Sequence, residues 1–300
     1  MVGGSPCQDF SVAGKQKGAV WTCTDCGYKY NPLEAHFTER DKCPKCHSEH
    51  IEKTRSSLLV EWLRILRAKK PNFAMYENVK NIVGKQFKPT FDLFEKELYE
   101  YGYNTYWKIL NAKNYGIPQN RERVYLIVIK KEIDNGKFKF PQSFDNGVRL
   151  KDLLEDNVYE RYYLSDKRVT YISNRPKNYE CKINPNTSNC LRTNYGNASA
   201  NECYIRDEKG VRKFTPKECF KLMGFSNEDF QKAKSTGISN TQLYKQTGNS
   251  IVVDVLYYIL LELYKAMPYL FDDIKVSSFF SGIGAFEKAL NRLYKYIIKK

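Results

Sequence analysis

The order of apolar and polar positions divides the chain into stretches of helical period, short apolar runs and one long aperiodic stretch. From Ser57 to Lys69, Leu58, Leu59, Trp62, Leu63, Ile65 and Leu66 recur at helical spacing, and Pro71 closes the segment. Phe73-Ala74-Met75-Tyr76 then predicts a short buried strand ending at Glu77. A second helix is expected from about Thr90 to Tyr101, stopped by Gly102, and two β-rich runs follow at Tyr103–Leu110 and Val124–Ile129. Between about Gly147 and Arg212 the period fades, and Asn, Tyr, Lys and Arg dominate. Regularity returns at Thr215-Pro216-Lys217-Glu218, a capping box with proline in the first turn of a helix that stops at Gly224. Asn249-Ser250 caps a helix from Ile251 to about Tyr264. Lys275–Phe280 predicts a last strand, Ser281-Gly282-Ile283-Gly284 a turn, and Ala285 opens a final helix.

Helices alternating with short buried strands predict an α/β domain with a largely parallel sheet. The expected division is a catalytic domain over 1–146, interrupted by an insertion at 20–54, a small second domain over 147–212, and a return to the catalytic domain over 213–300. Three hundred residues, 42% hydrophobic and 14% aromatic, suffice for a buried core. A net charge of +15 favours capture of a polyanion, so nucleic acid is a candidate partner, although a lysine-rich coding bias yields the same count. The first five residues carry neither a basic nor an apolar leader region, which predicts a cytoplasmic protein. The apolar stretch at 251–264 is broken by Asp254 and Glu262 and is too short to span a bilayer. Nine cysteines in a reducing compartment point to metal or catalysis rather than disulfides.

Cys7 follows Gly4-Ser5-Pro6, a turn at which backbone can approach a ligand closely. Addition of a thiolate to C6 of cytosine makes C5 nucleophilic, and it needs an acid that protonates N3 as the sulfur attacks. Glu77, at the C-terminal end of its own strand, is the candidate, because parallel α/β sheets hold ligands at those ends. Singly, each feature has an ordinary reading: a buried thiol, a loop-capping carboxylate, solvated arginines at 121 and 123. Together, Pro6-Cys7-Gln8 and Glu77-Asn78-Val79 resemble the two catalytic signatures of the DNA cytosine-C5 methyltransferase family, in the family's order. The stretch from Asn111 through Pro118-Gln119-Asn120-Arg121-Glu122-Arg123 is similar to its glutamine–arginine motif. Lys213 to Phe225 and Gln246-Thr247-Gly248-Asn249-Ser250 resemble its last two motifs. The resemblance implies that Cys7 adds to C6, Glu77 holds N3 and the exocyclic amine, Arg121 and Arg123 buttress the flipped base, and the target leaves the duplex before reaction.

Phe280-Ser281-Gly282-Ile283-Gly284 resembles the family's S-adenosylmethionine loop, with Phe280 beside adenine and Pro6, Leu58, Asn249 and Ser250 also near the cofactor. In the family this loop comes first; here it comes last, over 279–286, which a circular permutation explains. An acidic residue about twenty positions beyond the glycines should grip the ribose. Only 16 residues follow Gly284, with Glu287 their one acid, so the Rossmann-like methyltransferase sheet reads as permuted and incomplete.

Cys23-Thr24-Asp25-Cys26 and Cys43-Pro44-Lys45-Cys46, 16 residues apart, have the spacing of a four-thiolate structural zinc ribbon. It interrupts the segment between Lys17-Gly18 and Arg55, which by resemblance closes over DNA, and is expected to extend DNA contact or to steady that segment. Residues 150–210 correspond to the family's target-recognition region, where Arg168, Arg175, Lys177, Arg192 and Asn194 are candidate phosphate or base contacts. The reading is a DNA cytosine-C5 methyltransferase of bacterial or phage origin, acting on double-stranded DNA within restriction–modification or genome protection. Three alternatives stand beside it: a DNA-binding fragment that does not methylate, one half of an enzyme completed by a second polypeptide, and an RNA cytosine-C5 methyltransferase.

Overall fold

The computed structural model describes all residues except 7–8, 12–17, 177–179, 197–200, 278–281 and 300. Along the chain come β1 (Val2–Gly3), β2 (Trp21–Cys23), β3 (Lys29–Tyr30), β4 (Ile51–Lys53), α1 (Leu59–Lys69), β5 (Phe73–Val79), α2 (Lys88–Glu100) and β6 (Tyr103–Asn111). After these follow β7 (Gln119–Asn120), β8 (Glu122–Lys130), α3 (Asp166–Ser173), β9 (Lys182–Ile183), β10 (Ser188–Asn189), β11 (Cys203–Asp207) and β12 (Gly210–Arg212). The chain ends with α4 (Pro216–Lys221), α5 (Asn227–Ser235), α6 (Asn240–Asn249), α7 (Val253–Ala266) and α8 (Ala285–Ile298). Two compact units result. The first holds Met1–Leu110, Glu122–Lys139 and Leu263–Phe280; the second holds Asn111–Arg121, Phe140–Glu262 and Ser281–Lys300.

The first unit is built on a four-stranded sheet of order β1-β5-β8-β6. β1 runs parallel to β5, with Gly3 opposite Tyr76, while β5 and β8 are antiparallel from Phe73 opposite Ile129 to Val79 opposite Arg123. The largely parallel sheet read from the sequence is therefore mixed. The physical reason is the link between β6 and β8, which has no room for the dozen or more residues of a crossover and so returns the chain antiparallel. α1 and α2 cover one face, where Leu59, Leu63, Leu66, Phe91, Phe94 and Leu98 meet Ala74, Tyr76, Leu126 and Val128 in one core. The helix expected over 57–69 opens as a 3-10 turn at Arg55–Leu58 and ends where Lys70 turns left-handed, φ 44°, and donates its N–H to Leu66 O, one residue before Pro71.

The strand expected over Lys275–Phe280 is not formed at 275–277, and 278–280 lie outside the described residues. Ser277 O nevertheless accepts the N–H of Val2, so the segment runs beside β1 on the edge away from β5. In the second unit the aperiodic stretch forms a small sheet, β12-β11-β9, and pairs its β10 with β7 outside it; these owe little to period and much to buried tyrosines and to the Arg212–Glu218 ion pair at 2.9 Å, whose side chains are 2% and 1% exposed. The capping box at Thr215–Glu218 forms as expected. α8 is tied to α5 by Lys288–Asp229 and to α7 by Arg292–Asp254.

Candidate functional site

In the first unit the parallel pairing of β1 and β5 carries Gly4-Ser5 beside Tyr76-Glu77-Asn78. Gly4 passes so close to β5 that a Cβ there would lie 2.3 Å from the carbonyl oxygen of Glu77, so only glycine lets the strands keep this register. Beneath the turn, three buried polar side chains close on one another. Ser5 Oγ and Tyr76 OH are 2.6 Å apart, and Asn78 Nδ2 donates to Tyr76 OH at 2.9 Å, to Ser5 Oγ at 3.2 Å and to Ser5 O at 3.1 Å. Burial pushes the Tyr76 hydroxyl up to about 12, which keeps it a neutral hydrogen-bonding group. The strand's period of two explains the partition: Tyr76 and Asn78 share the face under the turn, while Glu77 points to the other. On that other face Glu77 Oε1 lies 3.2 Å from Arg123 Nε, each side chain 15% exposed. Arg123 sits opposite Val79, so the ion pair is the diagonal contact that antiparallel register provides. Cys7 and Gln8 lie outside the described residues; Pro6 is half-buried, and Leu58 is 38% exposed at the start of α1.

Arg121 falls in the second unit and is 4% exposed. Its guanidinium donates to Leu191 O at 3.1 Å, Gly248 O at 3.1 Å, Ser250 O at 2.7 Å and Cys190 Sγ at 3.2 Å. Gln119 does the same work two residues earlier, donating to Leu222 O at 2.7 Å and accepting from Leu191 N at 3.0 Å. These two side chains fasten the stretch around 190 to the segment 248–250. Gly248 completes the joint: a Cβ there would lie 2.4 Å from Thr193 N and 2.7 Å from Arg192 O. Ser250 is buried and Asn249 exposed.

Phe280 and Ser281 lie outside the described residues, but the rest of the glycine loop is present. Gly282 (φ 58°) and Gly284 (φ 77°) are both left-handed, and Gly284 is the N-cap of α8, so the backbone turns sharply into the helix through two positions that carry no side chain. That fits a ligand approached by main-chain atoms at a helix N-terminus. Of the recognition candidates, Arg175 Nη2 donates to Tyr171 OH at 2.9 Å and its guanidinium lies 4.9 Å from the ring, Arg168 and Arg192 are half-buried, Asn194 is exposed, and Lys177 is outside the described residues.

The four paired cysteines come together in the first unit, every Sγ within 4.8 Å of the others, with Cys23–Cys46 at 3.5 Å and Cys26–Cys43 at 3.6 Å. Four thiolates about 2.3 Å from a tetrahedral zinc stand about 3.8 Å apart, so the donor set fits that ion. Each pair forms the same knuckle: Gly27 N donates to Cys23 O and His47 N to Cys43 O, both at 2.9 Å, with Gly27 and His47 left-handed. The four thiols share protons: the backbone N–H of Cys26 draws Cys23 down to about 6, while, against the backbone N–H of Ser48, the neighbouring sulfurs push Cys46 up to about 12. His36, His47 and His50 are not among these donors; His50 Nδ1 instead meets Asp25 at 3.1 Å.

Sequence reasoning missed the Ser5–Tyr76–Asn78 group and the close approach at Gly248. Both join residues more than fifty positions apart, and the one available hint was glycine inside a polar motif.

A family model described as C-5 cytosine-specific DNA methylase matches residues 45–265, which excludes both Cys7 and the C-terminal glycine loop. The chain is 38% identical over 275 residues to Type II methyltransferase M2.ScrFI of Lactococcus lactis subsp. cremoris, covering 87% of this chain and 65% of that protein. It is 32% identical over 283 residues to Type II methyltransferase M.Bsp6I of Bacillus sp. (strain RFL6), covering 89% and 79%. Its fold is similar to that of the Entamoeba histolytica methyltransferase EhMeth, with TM-score 0.58 and 20% identity over 92% of this chain and 77% of that one. With a family model matched over most of its length and a relative above 30% identity largely covered, the chain belongs to the C-5 cytosine-specific DNA methylases.

Proposed function

We propose that the chain methylates C5 of cytosine in double-stranded DNA through a covalent adduct on Cys7. The observation that carries this is the pairing of β1 with β5, which brings the Gly4-Ser5-Pro6 turn against the backbone of Glu77 while Arg123 holds the Glu77 carboxylate at 3.2 Å. In this reading the Cys7 thiolate bonds to C6 as the C5–C6 double bond opens, and Glu77 in its protonated form passes its proton to N3; after methyl transfer the C5 proton is lost to a base, the Cys7–C6 bond breaks and the ring is restored. Arg123 fixes the Glu77 carboxyl against the flipped base. Arg121 is a positioning residue that acts through the segments it binds. S-Adenosylmethionine, when bound, supplies the electrophilic methyl; Gly282, Ile283 and Gly284, with Phe280, Ser281, Pro6, Leu58, Asn249 and Ser250, are the residues to hold it.

The same reading assigns residues 147–212 to target recognition and zinc to Cys23, Cys26, Cys43 and Cys46. The relatives named type II methyltransferases support a place in restriction–modification. No helix among the described residues is long and apolar enough to cross a membrane. A circular permutation accounts for the C-terminal glycine loop, and the contact of Ser277 with Val2 supports it, since it sets residue 277 beside the open edge of β1. A second polypeptide that adds strands beyond that edge would complete the cofactor side. The test is trapping on a duplex containing 5-fluorocytosine with S-adenosylmethionine: wild type should become covalently attached and Cys7→Ser should not. Trapping of Cys7→Ser, or of wild type only on tRNA, overturns the proposal.

A further inference from the structure

The ribbon is not an appendage. β2 pairs with β4 from Trp21 opposite Lys53 to Cys23 opposite Ile51, so the two ends of the insertion meet at one foot. That foot stands on the segment that carries Cys7. Thr54, the residue after β4, donates its hydroxyl to Gly18 O at 3.0 Å and accepts the N–H of Val20 at 3.3 Å. Gly18 in turn donates its N–H to Asp9 O at 3.1 Å, and Asn81 Nδ2 donates to Phe10 O at 2.7 Å. Phe10, fully buried, packs edge-on against Phe87 at 5.2 Å, and Gly18 lies against the same ring. Asp9, Phe10 and Gly18 are therefore seated together on the core, and the ribbon's Thr54 hydroxyl is bonded to the last of them.

The far side of the ribbon is fixed as well. Arg40 pairs with Glu97 of α2 at 2.7 Å, both nearly buried; Tyr30 OH donates to Arg40 O; Asn31 donates to Thr90. Trp21, Tyr30 and Leu33 belong to the same core as α1 and α2. What joins these fixed points is the thiolate cluster, because strands of two and three residues do not hold a sheet by themselves.

Charge decides between the two roles open to the ribbon. Residues 20–54 contain six acids (Asp25, Glu34, Glu39, Asp41, Glu49, Glu52) and five bases (Lys29, Arg40, Lys42, Lys45, Lys53), a net of −1 in a chain of +15. Arg40, Lys42 and Lys53 are already paired with Glu97, Glu49 and Asp41. A phosphate-binding surface has the opposite balance.

We infer that the zinc ribbon is a positioning device for the reaction, in which the metal fixes Thr54, and Thr54 fixes Gly18 and, through the Gly18 N–H on Asp9 O, the backbone two residues beyond Cys7 in the chain. The inference rests on Cys7 being the nucleophile only for its effect on turnover; its structural part stands alone. Thr54 is a positioning residue and takes no part in bond making.

The test uses the full chain with zinc bound, after dipicolinate treatment, and as Thr54→Val and Thr54→Ser. Amide hydrogen exchange should show Gly18 and Val20 protected in the zinc-bound protein and in Thr54→Ser. Both should be exposed by zinc removal and by Thr54→Val, while amides of β5 stay protected. In turnover, Thr54→Val should lower kcat at least tenfold with KM for DNA within twofold, and Thr54→Ser should restore it. Equal exchange at Gly18 and Val20 with and without zinc overturns the inference, as does a Thr54→Val variant altered in KM alone. Exchange is scored without catalysis, so a failed trapping experiment strikes the activity proposal and leaves this result standing.

Discussion

Gly4→Ala places a methyl group where the backbone has no give. The added Cβ would sit 2.3 Å from Glu77 O, and ordinary contact begins near 3.4 Å. The two strands must therefore separate by about 1.1 Å, more than a packed sheet absorbs without breaking its register. Overpacking of this kind costs about 1–3 kcal/mol. The same displacement stretches the Asn78 and Tyr76 contacts to Ser5 beyond bonding range, at about 1 kcal/mol each. A loss of about 4–6 kcal/mol follows, which against a typical stability of about 5–15 kcal/mol is large. All three tryptophans, Trp21, Trp62 and Trp107, lie in the first unit, and Trp62 packs on Tyr76 with ring centroids 5.4 Å apart. Tryptophan fluorescence in a urea titration therefore reports the unit that carries the change. The midpoint should fall by about 1 M or more, for m values of about 1–3 kcal/mol/M. The surviving folded fraction should not be trapped on 5-fluorocytosine duplex. A midpoint within about 0.2 M of wild type, with trapping intact, would refute the argument that backbone clearance at Gly4 sets the spacing of the two catalytic segments.

Tyr76→Phe removes a hydroxyl but leaves Ser5 and Asn78 bonded to each other, so urea unfolding should show a loss of only about 1 kcal/mol; a loss above about 3 kcal/mol would mean the group is more cooperative than its geometry. Arg40→Met strands Glu97 in the core and should cost about 3–5 kcal/mol, with much of it recovered in Arg40→Met/Glu97→Met; a double-mutant cycle with no coupling would contradict the ion pair. Gly248→Ala should weaken DNA binding and lower the melting temperature together, because the added methyl meets Arg192 and Thr193 backbone; filter binding and calorimetry unchanged from wild type would count against that joint. Metal analysis should find one zinc per chain, reduced to background in Cys43→Ser.

Much of this was legible in the sequence because it is local or motif-borne. The helices at 57–69 and 90–101 announced themselves by period, the box at Thr215–Glu218 by its capping chemistry, and the thiolates by spacing alone. Glu77 and Arg123 are each read from their motifs as site residues, but their contact with one another follows only once β5 and β8 pair antiparallel. What the sequence hid is what depends on distant backbone. That Thr54 would fasten Gly18, or that Arg40 would find Glu97, requires knowing that a 35-residue insertion folds back onto the helices after it. The mixed sheet was hidden for a different reason: strand direction is set by the length of the link, which apolar pattern does not encode. Within the run Lys275–Phe280 the described residues 275–277 form no strand, although Ser277 bonds to Val2, because β-rich composition marks a segment fit for a sheet without fixing how it pairs.

The joint built by Gln119 and Arg121 bears on how such a protein diversifies. Five of its bonds end on main-chain atoms, at Leu191 N, Leu191 O, Leu222 O, Gly248 O and Ser250 O. A mount that grips backbone is indifferent to the side chains it carries. The stretch proposed to read DNA can thus drift in sequence, or be exchanged wholesale with that of a relative, without renegotiating its attachment. Chimeras cut outside 188–193 should keep their footing, whereas cuts within it should not. Inheritance of the fixture and innovation in the reader then proceed on separate positions of one gene.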